Sequence, residues 1–110
     1  MTPEELIAAL QQATAALNEA TLEYAKCLKD EATAKNTYKL EYAKRYLTIG
    51  GTVAEREAQC LNALAKEYTD ASLAEAFTKA TKAALDRQYA ELHTLQSIGA
   101  TLRAEMQLQR

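Results

Sequence analysis

Residues 38–57 read YKLEYAKRYLTIGGTVAERE, and the Gly50-Gly51 pair within them is the one point at which the chain is plainly told to turn. Glycine reaches positive φ without a Cβ penalty, so the pair ends a helix. Thr52-Val53-Ala54-Glu55 follows as a capping box. The threonine hydroxyl and the glutamate three residues on satisfy the first free N–H groups of a helix that starts at Val53. Working outward, residues 4–49 hold neither Gly nor Pro, and a second helical run leads from the turn to the C-terminus. So short a connection makes the two runs antiparallel neighbours.

The upstream run has its own start. Thr2 caps, Pro3 occupies the first helical position and Glu5 completes another box. Leu6, Leu10, Ala13 and Leu17 then recur at helical spacing, and nothing stops the helix before Ile49; Asn18 is a weak interruption. Such a helix is on the order of 70 Å long, whereas a compact domain of this size has a radius of gyration near ~13 Å. The expected fold is therefore all-α: an elongated antiparallel helical hairpin with one long N-terminal helix, assembling into a helical oligomer. The 110 residues form a single helical domain, with helices over about 3–49, 53–68 and 72–107 and the turn at 50–52. The break after residue 68 is expected from the polar cluster Thr69-Asp70-Ala71-Ser72 and a third box, Ser72-Leu73-Ala74-Glu75. Beyond it, Leu73, Phe77, Ala80, Ala84, Leu95, Ile98, Leu102 and Met106 form a stripe, and Gly99 inside it implies close packing.

Composition supports helices and a thin core. Alanine makes up much of the 48% apolar content, and alanine buries little area at ~25 cal/mol per Å². At about 100° per residue the first helix carries two apolar stripes. One holds Tyr24, Leu28, Tyr38, Tyr42, Tyr46 and Ile49; the other holds Leu22, Ala25, Ala32, Leu40, Ala43 and Leu47. One stripe serves the antiparallel neighbour. The second calls for another copy of the chain, with Leu22, Tyr38, Leu40, Tyr42 and Leu47 at the interface, or for a wide stripe inside a three-helix bundle.

Little in the chain carries catalysis. His93 stands alone, Cys27 and Cys60 have no metal spacing, and no phosphate loop or nucleophile elbow appears. No enzyme, cofactor or metal is expected. No apolar run approaches 18 residues and no signal peptide is evident, so the expectation is a cytoplasmic protein without a membrane partner. The formal net charge of -2 excludes indiscriminate electrostatic binding of nucleic acid. One local exception stands out: Lys35, Lys39, Lys44 and Arg45 are interleaved with Tyr38, Tyr42 and Tyr46. Cations track phosphates and aromatic faces stack on unpaired bases, a mixture suited to single-stranded nucleic acid. The same tyrosines read equally as core or interface, and the lysines as a solvated flank.

The layout KNTYKLEYAKRYLTIGGTVAERE, followed by helices and the late LQSIGATLRAEM, resembles that of the UvsY-like phage recombination mediators and similar small helical phage proteins, over about residues 20–106. The resemblance implies a helical hairpin that oligomerises, binds single-stranded DNA and helps load a recombinase onto strands covered by single-strand binding protein. Carried over by position, the DNA contacts are Lys35, Lys39, Lys44, Arg45 and Tyr46. The function so implied is that of a phage-type recombination accessory in the host bacterial cytoplasm. Its partners would be further copies of itself, single-stranded DNA bound weakly and with salt dependence, and a recombinase, annealing protein or single-strand binding protein. The alternative is a phage-encoded helical adaptor or inhibitor that binds protein only. Glu41 within the basic run departs from a purely cationic patch.

Overall fold

The computed structural model describes residues 1–109. It is an all-α helical hairpin with a long N-terminal helix, built from α1 (Pro3–Thr48), α2 (Val53–Ala63) and α3 (Ala65–Leu108). The described residues contain no strand, and none of their helices is long and apolar enough to cross a membrane.

The helix ends follow the local chemistry. Thr2 Oγ1 accepts the Glu5 N–H at 3.2 Å, and the Leu6 N–H reaches the Thr2 carbonyl at 3.0 Å. At the turn Gly51 adopts φ 115. Thr52 caps α2 from extended backbone: its hydroxyl accepts the Glu55 N–H at 3.2 Å while the Glu55 carboxylate accepts the Thr52 N–H at 3.4 Å. Both orphan donors of the capping box are satisfied together.

The second break differs from the expectation. It falls at Leu64, and α3 runs through Ser72 without interruption. Leu64 departs from helical geometry at φ -108, ψ 22. Its N–H still bonds the Cys60 carbonyl at 2.9 Å, and the Tyr68 N–H bonds the Leu64 carbonyl at 2.9 Å. The break is thus a one-residue distortion around a buried leucine. Ser72 stays in the helix, where no Gly or Pro interrupts the chain, and Glu75, its would-be capping partner, pairs with Lys35 at 3.8 Å and Lys79 at 3.6 Å.

Two compact units are distinguishable along the chain: Met1–Tyr24 with the stretch from Thr81 onward, and Ala25–Ala80. In the first, Leu6, Ala13 and Leu95 form the core, with Ala9, Leu10, Leu92, Ile98 and Leu102 packed against it. In the second, Cys27, Cys60, Leu64, Ala71 and Thr78 are buried. The Thr78 hydroxyl lies 3.1 Å from the Cys27 carbonyl of α1 and 3.0 Å from the Ala74 carbonyl of its own helix.

Inward positions recur at alternating steps of three and four. On α1 they are Leu6, Leu10, Ala13, Leu17, Ala20, Tyr24, Cys27, Glu31, Ala34 and Tyr38; on the return they include Leu64 at the break and, on α3, Glu67, Ala71, Ala74, Thr78, Leu85, Gln88, Leu92, Leu95 and Leu102. A period of 3.5 is that of a coiled-coil seam. This corrects the stripe expected for α3. Leu73, Phe77, Ala80 and Met106 are exposed, and the seam there runs through Ala71, Ala74 and Thr78. Small side chains win these positions because the helices approach closely enough for a threonine hydroxyl to reach a carbonyl across the seam; a phenylalanine would hold them apart.

Gly99 and Gly51 yield opposite predictions. A Cβ on Gly99 would meet Leu6 Cδ2 at 3.4 Å, an ordinary contact, so Gly99→Ala is expected to stabilise by up to about 1 kcal/mol through helix propensity. On Gly51 a Cβ would collide with the Glu55 carboxylate and the backbone would be left-handed, so Gly51→Ala is expected to cost about 1–2 kcal/mol. Urea denaturation of both variants checks the pair of signs.

Candidate nucleic-acid interface

Tyr38, Tyr42 and Tyr46 fall at successive i, i+4 positions of α1 and share one face. Their rings form a ladder: Tyr38 and Tyr42 have centroids 5.9 Å apart, and Tyr42 and Tyr46 stack at 6.3 Å with 16° between planes. The returning helices close it. Tyr68 meets Tyr38 edge-on at 5.6 Å. The Arg56 guanidinium sits 5.5 Å from the Tyr46 ring centre, a cation–π contact. Cys60, fully buried, places Sγ 4.0 Å from the Tyr42 carbonyl. The three tyrosines are therefore half-buried, packed where α1 meets the other two helices. Burial, and then the Glu57 carboxylate, pushes the Tyr42 phenol above its ordinary pKa. A groove of about 350 Å³ lies along Tyr42, Ala43, Tyr46, Leu47 and Glu57. Its carboxylate repels phosphate.

The basic side chains do not converge. Lys35 lies 3.7 Å from Glu31 and 3.8 Å from Glu75, and Lys44 lies 3.4 Å from Glu41. Nine residues at about 100° each place Lys44 half a turn around α1 from Lys35. Lys39 and Arg45 are exposed and have no carboxylate within salt-bridge distance among the described residues. Of the expected contacts, Lys39 and Arg45 are thus open to a phosphate. Lys44 is exposed beside its glutamate, Lys35 is tied into an ion-pair chain, and Tyr46 lies between Tyr42 and Arg56.

The expected self-association residues also divide. Leu22, Leu40 and Leu47 are 72%, 62% and 83% exposed. Tyr38 and Tyr42 are taken up within their own hairpin. Sequence reasoning missed Arg56, Cys60 and Tyr68 as members of the aromatic cluster. A signal was present: Arg56, Cys60 and Leu64 recur at i, i+4 and mark the inward face of α2. Among the described residues no group of His, Cys, Asp and Glu could hold a metal ion.

No family model matches the chain, and neither does any curated protein or solved structure.

Tyr46→Ala removes a stacked ring and the seat of Arg56, whose Nε is buried without a hydrogen-bond partner. The expected cost is about 1–2 kcal/mol of stability, read as a lower melting temperature by circular dichroism. A base-stacking tyrosine free of its neighbours would leave melting unchanged.

Proposed function

We propose that this chain is a non-enzymatic, phage-type accessory protein of DNA recombination that binds single-stranded DNA weakly and helps load a recombinase or annealing protein in the bacterial cytoplasm. The observation that carries this reading is the pair Lys39 and Arg45. Both are exposed and unpaired among the described residues, on the tyrosine-rich stretch whose layout resembles the UvsY-like mediators. Lys44, exposed beside Glu41, adds a third cation once a phosphate competes for it. Binding is weak because few cations are available and because the groove beside Tyr46 carries Glu57.

A second reading, a helical adaptor that binds protein alone, is favoured by Leu40 and Leu47. These large apolar side chains stand in solvent on α1, and exposed apolar surface marks interaction sites when it is contiguous.

Anisotropy of a labelled oligothymidine, titrated at several salt concentrations, tests the first reading. Each phosphate contact contributes roughly 0.7 to the slope of log affinity against log salt on a single strand. The double variant Lys39→Ala, Arg45→Ala is expected to flatten that slope by about 1.4, while Lys35→Ala changes it little. A wild-type protein that binds no oligonucleotide at low salt overturns the mediator reading and leaves the adaptor.

A further inference from the structure

In the unit formed by Met1–Tyr24 and the stretch from Thr81 onward, a groove of about 420 Å³ opens between the start of α1 and the end of α3. Its walls are aliphatic, with Ile7 and Leu10 on α1 facing Leu95, Leu102 and Met106 on α3, and no aromatic ring, carboxylate or hydroxyl lines it. Ile7 and Met106 are 56% and 53% exposed, so the groove opens to solvent. From Leu95 to Met106 the helical rise makes it roughly 16 Å long. Gly99 lies in its floor. Glycine is a poor residue for a helix interior, and packing does not require it here, since a Cβ would meet only Leu6 Cδ2, at 3.4 Å. That carbon would project into the groove, because Leu6 also lines it. What the glycine preserves is space for something else.

The polar side chains of the lining are Gln96 and Arg103, which share one edge of α3. Arg103 is exposed, and no carboxylate lies within salt-bridge distance of it among the described residues. Glu105 projects about 160° away from it around α3, and Glu4 and Glu5 project about 110° and 150° from the middle of the α1 lining face. We infer that the groove binds a free medium-chain fatty carboxylate. Its unbranched chain lies over Gly99 between the leucines, and its head pairs with the Arg103 guanidinium. A groove of this size, apolar with a few placed polar groups, suits a small molecule. Charge complementarity selects the carboxylate head, which a guanidinium can grip through two parallel hydrogen bonds. The long, narrow shape and the absence of aromatic rings select a chain over a flat ligand. Met106, unbranched and polarizable, can adapt to the chain. The tyrosine cluster belongs to the other unit, so this binding stands independently of any contact with DNA.

Isothermal titration calorimetry with hexanoate, octanoate, decanoate and dodecanoate tests the inference. Affinity is expected to rise about twofold to fourfold with each methylene buried, until the chain fills the groove. Gly99→Ala is expected to melt no lower than the wild type and yet to bind decanoate about threefold more weakly, because its methyl takes the place of about one methylene. A glycine kept only for packing would not separate stability from binding in this way. Arg103→Gln is expected to weaken decanoate binding by about twofold to fivefold and to leave binding of the uncharged decanol unchanged. A wild-type chain that binds no carboxylate of the series overturns the proposal and leaves the groove to an apolar segment of another protein. Decanoate binding that either variant leaves unchanged also overturns it, as does decanol binding as tight as that of decanoate.

Discussion

The contact between the Thr78 hydroxyl and the Cys27 carbonyl sets the spacing on which the rest of the unit Ala25–Ala80 depends. A threonine side chain reaches only a few ångströms, so the two helices must nearly touch there. Ala71, Ala74 and Ala34 let them do so, and larger residues are displaced outward to Leu73 and Phe77. The hydroxyl is shared with the Ala74 carbonyl of its own turn, so no donor is wasted in a dry seam. In a seam this lean in apolar volume, satisfied polar groups contribute directional specificity that alanine alone does not.

Close approach at the seam has an electrostatic consequence. Lys35 of α1, already beside Glu31, comes within reach of Glu75 on α3, and Lys79 extends the chain of charges. Each such pair at a partly exposed position contributes little, about 0–1 kcal/mol. Together they draw Lys35 out of the cationic stretch and draw Glu75 out of a capping role. One ion-pair chain thereby engages both a lysine of the basic stretch and the glutamate of the Ser72 box.

At the turn, the tyrosines that looked like a stacking platform serve first as packing. Tyr38 and Tyr46 meet Tyr68 and Arg56, residues that arrive from the returning helices. This relocates the surface available for function. The open cations are Lys39 and Arg45, and the open apolar side chains are Leu40 and Leu47, so both kinds of contact alternate along a single decade of α1. Neighbouring faces of one helix can therefore serve different partners.

The sequence by itself determined the helices, the turn and the start of α2. Gly51 and the Thr52–Glu55 box act within four residues, where local geometry and propensity decide the outcome. The second apolar stripe was also legible, since Ala25, Ala32, Leu40, Ala43 and Leu47 repeat at helical spacing whatever surrounds them, and the structure leaves them uncovered by their own chain. Only the tertiary structure decided which face of α3 is inward, where the second break falls, and which of Lys35, Lys39, Lys44 and Arg45 remain unpaired. A stripe drawn through large apolar residues picked Leu73 and Phe77, because periodicity weighs hydrophobicity and not the size that a close seam admits. The break went to Leu64, and Lys35 to Glu75, because both depend on residues brought together across the hairpin from tens of positions away, and no local window contains both partners.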